Sequence, residues 1–173
     1  MRAPAFFLLA GFAAFSAHAQ WAGWDYDNDR EIKPWPELQA QLPPYPKEAD
    51  LVRFEAGAAT PHRFFVDPGS VSIGEDGVVR YIMVVKTAGG ATNVTFEGMR
   101  CDTREQKTYA MGHADGSWVR ARHPRWRRIE AREINRQHAV LYSDFFCRGK
   151  RTADSAKDIV AQLRNPPPPS SNE

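Results

Sequence analysis

Seven arginines fall between Arg120 and Arg136 (120, 122, 125, 127, 128, 132 and 136), against Glu130 and Glu133, and Trp118 and Trp126 lie among or beside them. A guanidinium presents a rigid fork of donors that matches carboxylate and phosphate oxygens, and an indole adds a flat stacking surface. Trp118, Arg120 and Arg122 alternate as side chains on one strand face do, and Arg125, Trp126, Arg127 and Arg128 follow at once. Arg120, Arg122, Arg125, Arg127, Arg128, Trp118 and Trp126 therefore form a candidate anion-binding surface, suited to an acidic polymer, lipid headgroups or an acidic protein face. The opposing expectation is that these arginines pair with Glu130, Glu133 and the acidic stretch from Asp25 to Glu31, while the tryptophans pack in the core.

Other chemistry-bearing residues form no recognisable centre. His62, His113, His123 and His138 show no H-x-x-x-H or H-E-x-x-H spacing, so no zinc motif is present. His138, on an apolar helix face, is expected to be a packed core residue. No G-x-S-x-G surrounds a serine, and Gly89-Gly90 lacks the helix that a phosphate loop requires. Asp25-x-Asp27-Asn28-Asp29 suggests a calcium loop. Counted from Asp25, however, Arg30 stands where the loop needs Gly and Pro36 where it needs Glu, so an EF-hand is rejected. The adjacent acids Glu75 and Asp76 sit in an expected hairpin loop, and Asn93-Val94-Thr95, though a glycosylation sequon, is expected to be a strand triplet. No cofactor and no metal is expected.

The start of the chain carries an address. Met1-Arg2, the apolar run Ala5–Phe15 and small residues at Ala17 and Ala19 match a secretory signal peptide, with cleavage between Ala19 and Gln20. The apolar run is shorter than the roughly 20 residues a membrane-spanning helix needs. No second long apolar run follows, so no transmembrane segment is expected in the mature chain. Removal of residues 1–19 leaves 173 − 19 = 154 residues, enough for one domain with a real core, and lowers the formal net charge from +2 to +1. An oxidising compartment favours a disulfide between the two cysteines, Cys101 and Cys147. Two buried thiols or one reactive thiol are the alternatives.

These residues need elements to position them. Residues 20–48 form an arm rich in Trp and Pro: Trp21, Trp24 and Trp35 precede Leu42-Pro43-Pro44-Tyr45-Pro46, and Glu37–Leu42 could make one or two helical turns after Pro36. Docking against the body is the expected use of this arm. A single α+β domain is expected over residues 49–164. Leu51–Phe54, Phe64–Val66 (ended by a turn at Asp67-Pro68-Gly69) and Ser70–Ile73 read as strands. Val78–Thr87, apolar on both faces in its middle, reads as the central strand. In Thr92–Cys101, Val94 and Phe96 share one face while Asn93, Thr95 and Glu97 share the other. A bulge at Gly98 is therefore expected, to return Cys101 to the apolar side. Lys107–Met111 and Trp118–Arg122 flank Asp115-Gly116 as a hairpin. From residue 124 the pattern is read as helical: Ile134, His138, Leu141 and Phe145 share a face after an Asn135 cap. Ala156, Ile159, Val160 and Leu163 form a second stripe after a Thr152 cap. Residues 165–173 are a Pro-rich tail expected to be disordered. The fold class expected is α+β, an antiparallel meander of about five to seven strands with C-terminal helices packed on it and one disulfide.

Six stretches carry a family likeness. They are Trp35-x-Glu37 with Leu42-Pro43-Pro44-Tyr45-Pro46; Phe65-Val66-Asp67 with Ser70; Gly74-x-Asp76-Gly77-Val78-Val79-Arg80-Tyr81; Asn93-Val94-x-Phe96-Glu97-Gly98-x-Arg100-Cys101; Gly112-x-x-Asp115-Gly116-x-Trp118; and Asp144-Phe145-x-Cys147. In these the chain resembles a small family of exported Gram-negative bacterial proteins named after a cryptic neisserial protein. The resemblance implies export, an envelope location and paired cysteines. The family has no assigned activity, so no catalytic residue is carried over.

The expectation from these observations is a periplasmic or secreted protein, most simply a non-enzymatic binding or accessory module acting through its Arg/Trp surface on an acidic envelope polymer or protein. An envelope hydrolase with an unrecognised site, or a module that pairs with a partner's strand, are the alternatives. Nucleic acid is not an expected partner for an exported chain.

Overall fold

The computed structural model describes residues 35–57, 60–130 and 136–166. The leader with Ala19 and Gln20, Trp21, Trp24, the Asp25–Glu31 stretch, Arg132–Asn135 and the tail beyond Pro166 lie outside the described residues.

Alternating apolar runs separated by glycine turns produce a meander. Strands β1 (Val52–Phe54), β2 (Arg63–Ile73), β3 (Val79–Lys86), β4 (Thr92–Arg100), β5 (Glu105–Gly112) and β6 (Trp118–Arg120) pair antiparallel in chain order, and β7 (Arg127–Arg128) pairs with β5 beside β6. The β2–β3 turn closes with Gly74 N–H donating to Val78 O and Gly77 N–H to Gly74 O, and Gly77 has φ 74°, a conformation glycine adopts without steric cost. As the apolar run from Val78 implies, β3 is central and buried over most of its length.

After β7 the chain enters helix α1 (Arg136–Val140), which continues as a π-helical segment (Leu141–Phe146). A short ribbon, β8 (Cys147–Arg148) with β9 (Arg151–Thr152), leads to helix α2 (Ala156–Arg164). In the π segment Leu141, Tyr142, Phe145 and Phe146 are all buried. The wider turn lets two adjacent pairs face the sheet together. The fold is α+β, as expected.

Each sheet face has its own cover. On one face, Phe54, Val66, Tyr81, Met83, Met99 and Cys101 pack against Leu141, Phe145, Phe146, Ile159 and Leu163 of the helices. On the other, Ile82, Val84, Val94, Phe96 and Ala110 pack against Ala40, Leu42 and Tyr45 of the arm and Leu51 just beyond it. A central strand that is apolar on both sides is what such a sandwich requires.

Several expectations change. No helix forms over Glu37–Leu42, where the chain is irregular. Residues 127–128 are strand, so the helical region begins later than residue 124. Arg122 lies beyond the end of β6. Asp67-Pro68-Gly69 does not end a strand: β2 runs through it with a register shift between Asp67 and Ser72. There Ser70 Oγ donates to Asp67 O and accepts from Ile82 N–H, so a side chain bridges the gap in the ladder. Thr152 is not a helix cap. Ser155 holds that position, its Oγ accepting from Asp158 N–H at 3.1 Å, while the Thr152 hydroxyl donates to Gly77 O.

The irregularity expected at Gly98 lies on the partner strand. Glu97 pairs with Thr108 and Phe96 with Ala110, so Tyr109 is the extra residue. Gly98 has a different duty: a Cβ there would stand 2.6 Å from Tyr109 Oη. Cys101 needs no bulge, because the face carrying Thr95 and Glu97 is the helix-covered one. It bonds to Cys147 with a Cα–Cα distance of 5.6 Å. The bridge spans 46 positions, and loop-closure entropy gives it a contribution of about 4 kcal/mol. Replacing both cysteines with alanine should lower unfolding stability in urea by about that amount. Adding reductant to the wild type should reproduce the loss, and equal stability in both states would refute the estimate.

Candidate functional site

Over its described residues 35–47 the arm has no secondary structure, so its backbone groups need partners from elsewhere. The sheet supplies them. Trp35 Nε1 donates to Asp76 O at 3.0 Å, and Leu38 N–H donates to Asp76 Oδ2 at 2.9 Å. Leu38 O accepts from Arg80 Nη2 at 2.9 Å, and Pro43 O accepts from Trp118 Nε1 at 3.0 Å. Asp76 and Arg80 form a two-bonded pair at 3.0 and 2.6 Å, with both side chains almost fully covered. Burial opposes charge on Asp76, but the bonds from Arg80, Leu38 and Val78 outweigh it and hold the carboxyl below its usual range. A recess of about 550 Å³ beside this pair is lined by Trp35, Glu75, Asp76, Asp102, Lys150 and others. Its Asp76 is already committed to Arg80.

Glu37 is the arm's second anchor. Its carboxylate accepts from Lys107 Nζ at 2.8 and 3.0 Å, from Tyr109 Oη at 2.9 Å and from Trp126 Nε1 at 3.2 Å. Burial alone would raise its pKa, but these donors lower it. Trp126 is thereby fixed edge-on to Trp35, with ring centroids 5.9 Å apart, while Arg100 lies 3.9 Å over the Trp35 ring.

These anchors set out the arginine edge. Trp118 and Arg120 occupy alternate positions of β6 and both reach the arm, Arg120 Nη1 lying 3.5 Å from Ala40 O. The chain then leaves β5 over residues 122–126 and returns as β7, with Arg128 opposite Glu105 and Arg127 opposite Gln106. Arg120, Arg122, Arg125, Arg127 and Arg128 are all exposed, and among the described residues no ion pair involves any of them. The two tryptophans divide from them: both are partly buried and engaged with the arm. Arg136 packs instead beside Gly57. Among the described residues, no cluster of three or more His, Cys, Asp and Glu is placed to hold a metal, and no helix is long and apolar enough to cross a membrane.

Beneath the opposite face lies a buried polar network that sequence reasoning missed. Glu97 on β4, only 3% exposed, stands opposite Tyr81 on β3. Its Oε2 accepts from Tyr81 Oη at 2.9 Å and lies 2.8 Å from His138 Nε2, and its Oε1 accepts from Thr95 Oγ1 at 2.8 Å. His138 is therefore a core histidine, as expected, but one paired with a carboxylate. Burial opposes its charge, yet Glu97 prevails and raises its pKa above 6.5. Burial likewise opposes the Glu97 carboxylate, and His138, Thr95 and Tyr81 together lower its pKa below 4.5. The missed signal is a Glu inside the run Val94–Met99. Arg80, inside the apolar run of β3, carries the same sign: a charge in a central strand requires a buried partner.

The pair makes stability depend on pH. The His138 contribution is complete below the unfolded histidine value of 6.5 and is lost as pH rises through the raised folded value. The Glu97 contribution is complete above 4.5 and is lost as pH falls through the lowered folded value. The pair therefore stabilises most between these two limits. Glu97→Gln should cost roughly 3 kcal/mol at pH 5.5 and clearly less at pH 8.5, measured by urea unfolding. A loss that did not change with pH would rule out the ion pair.

No curated protein and no solved structure matches the chain. The CNP1-like family does match, over residues 30–164, a span that takes in the docked arm, the whole sheet, the arginine edge, the disulfide and both helices, and the chain belongs to that family.

Proposed function

We propose that this protein is exported to the bacterial envelope and acts there as a non-enzymatic binding module whose working surface is the arginine edge. One observation carries the reading. Five exposed arginines, Arg120, Arg122, Arg125, Arg127 and Arg128, share one sheet edge, and no ion pair among the described residues neutralises them. Arg80 and Arg100, by contrast, are paired with Asp76 and Asp102, and what distinguishes the five is that they stand together on one edge with no carboxylate partner among the described residues. Exposed guanidinium forks are free to hold carboxylate or phosphate groups. Export is supported by the leader-like start of the chain and its cleavage pattern at Ala19–Gln20, and by a disulfide of the kind that persists in oxidising compartments.

The test has two arms. Mass measurement of the protein recovered from the periplasm or medium should place its first residue at Gln20, and an intact Met1 would refute export by a cleaved leader. Wild-type protein and a variant carrying Arg120→Glu, Arg122→Glu, Arg127→Glu and Arg128→Glu should share a far-ultraviolet spectrum and unfolding midpoint. Only the wild type should retain an envelope component that salt releases. Equal retention by both proteins would remove the edge from the function.

A further inference from the structure

The arginines are arranged as well as exposed. Strands β6 and β7 both pair with β5, Arg120 opposite Ala110 and Arg128 opposite Glu105. The two strands therefore lie in one line along a single sheet edge, and the arginines they carry span about 15 Å of it at roughly 3.3 Å per residue. Arg122 and Arg125 occupy the segment between. Arg120 and Arg128 lie on the arm side of the sheet and Arg127, at the next position, on the helix side, so the row straddles the edge. From Trp118 to Ile129 there is no Asp or Glu.

The backbone adds donors to this row. Ala121 N–H donates to Tyr109 O, and His113 N–H to Ser117 O. The antiparallel alternation then turns the Trp118 and Arg120 backbone groups away from β5, toward the open side.

The shape and chemistry of the row limit what it fits. A folded protein partner would need an apolar centre; the indoles of Trp118 and Trp126 are already held by Pro43 and Glu37, which leaves the edge the single exposed pair Val119 and Met111, too little for such a centre. A single small anion would engage one or two forks and leave the others idle. A bilayer surface is matched by a plane of charge, whereas this charge runs along a line. We propose that the edge is a track for a linear polyanion, an extended chain bearing repeated phosphate or carboxylate groups, lying along β6 and β7 from Arg120 to Arg128. This rests on the anion-binding reading above and specifies the form of the ligand.

The experiment titrates the full exported protein with inorganic polyphosphate of graded length, poly-L-glutamate, pyrophosphate and phosphatidylglycerol vesicles, and follows binding by tryptophan fluorescence and calorimetry. Affinity should climb with chain length until the chain spans the track and then level off. It should fall with salt, and the double change Arg120→Gln with Arg128→Gln should lower the log–log salt slope by about two. The same change should weaken long chains roughly tenfold, a loss of about one decade for two exposed contacts, and weaken pyrophosphate, for which three other forks remain, far less. Pyrophosphate binding as tightly as the longest chain would overturn the track while sparing the anion-binding reading. Capture by vesicles with no binding of either polymer would overturn it in favour of a membrane surface. Silence toward every probe would overturn both proposals together.

Discussion

A sheet that is apolar on both faces must be covered on both, and here the two covers differ in kind. Helices satisfy their own backbones and bring only side chains to the interface. The arm from Trp35 to Tyr45 does not, so it draws hydrogen bonds from Asp76, Arg80 and Trp118 while inserting Ala40, Leu42 and Tyr45. That requirement explains why a buried Asp–Arg pair stands where the arm crosses the β2–β3 turn and the start of β3. Without the arm, Asp76 would keep only Arg80 and the Val78 N–H, and Arg80 would lose its carbonyl partner at Leu38. Without that pair, the Leu38 peptide would lie against the sheet unsatisfied, at a cost of roughly 1–3 kcal/mol for each orphaned group.

The same requirement ties the arm to the candidate surface. Trp118, Arg120 and Trp126 each bond to the arm, at Pro43, Ala40 and Glu37. The edge is short and its ladder is interrupted, which leaves the residue 122–126 segment with little support from β5. Fixing Trp126 against Glu37 holds the return of the chain into β7 and leaves Arg125 and Arg127 on either side of it directed to solvent. Packing against an irregular strap thus settles the geometry of charges that stand outside the core.

Much of this was legible in the residues. The meander, the central β3, the glycine turns, the C-terminal stripe of Ile159 and Leu163 and the cysteine pairing follow from period, turn chemistry and an even cysteine count. What escaped depends on long-range partners. Alternation labels Glu97 as polar and therefore outward, but His138, 41 residues on, allows it to point inward. Glu37–Leu42 has helix-compatible composition, yet the sheet offers its peptides better partners than a single isolated turn would. Gly98 marks no bulge in its own strand but the space that Tyr109 fills from the neighbouring strand. For the arginine edge, sequence supplied the charges and their alternation. That β6 and β7 share one partner strand, and so stand in line, is a fact of topology that no local pattern contains.

The disulfide has a topological consequence. Cys101 and Cys147 close a covalent ring, and Arg120 to Arg128 lie wholly within it. The exposed 122–126 segment is rich in the basic side chains that trypsin-like proteases cut after. A single cut there opens the ring but leaves both halves joined through sulfur, so a nicked molecule in an oxidising compartment stays one particle and keeps its arginines tethered to the sheet.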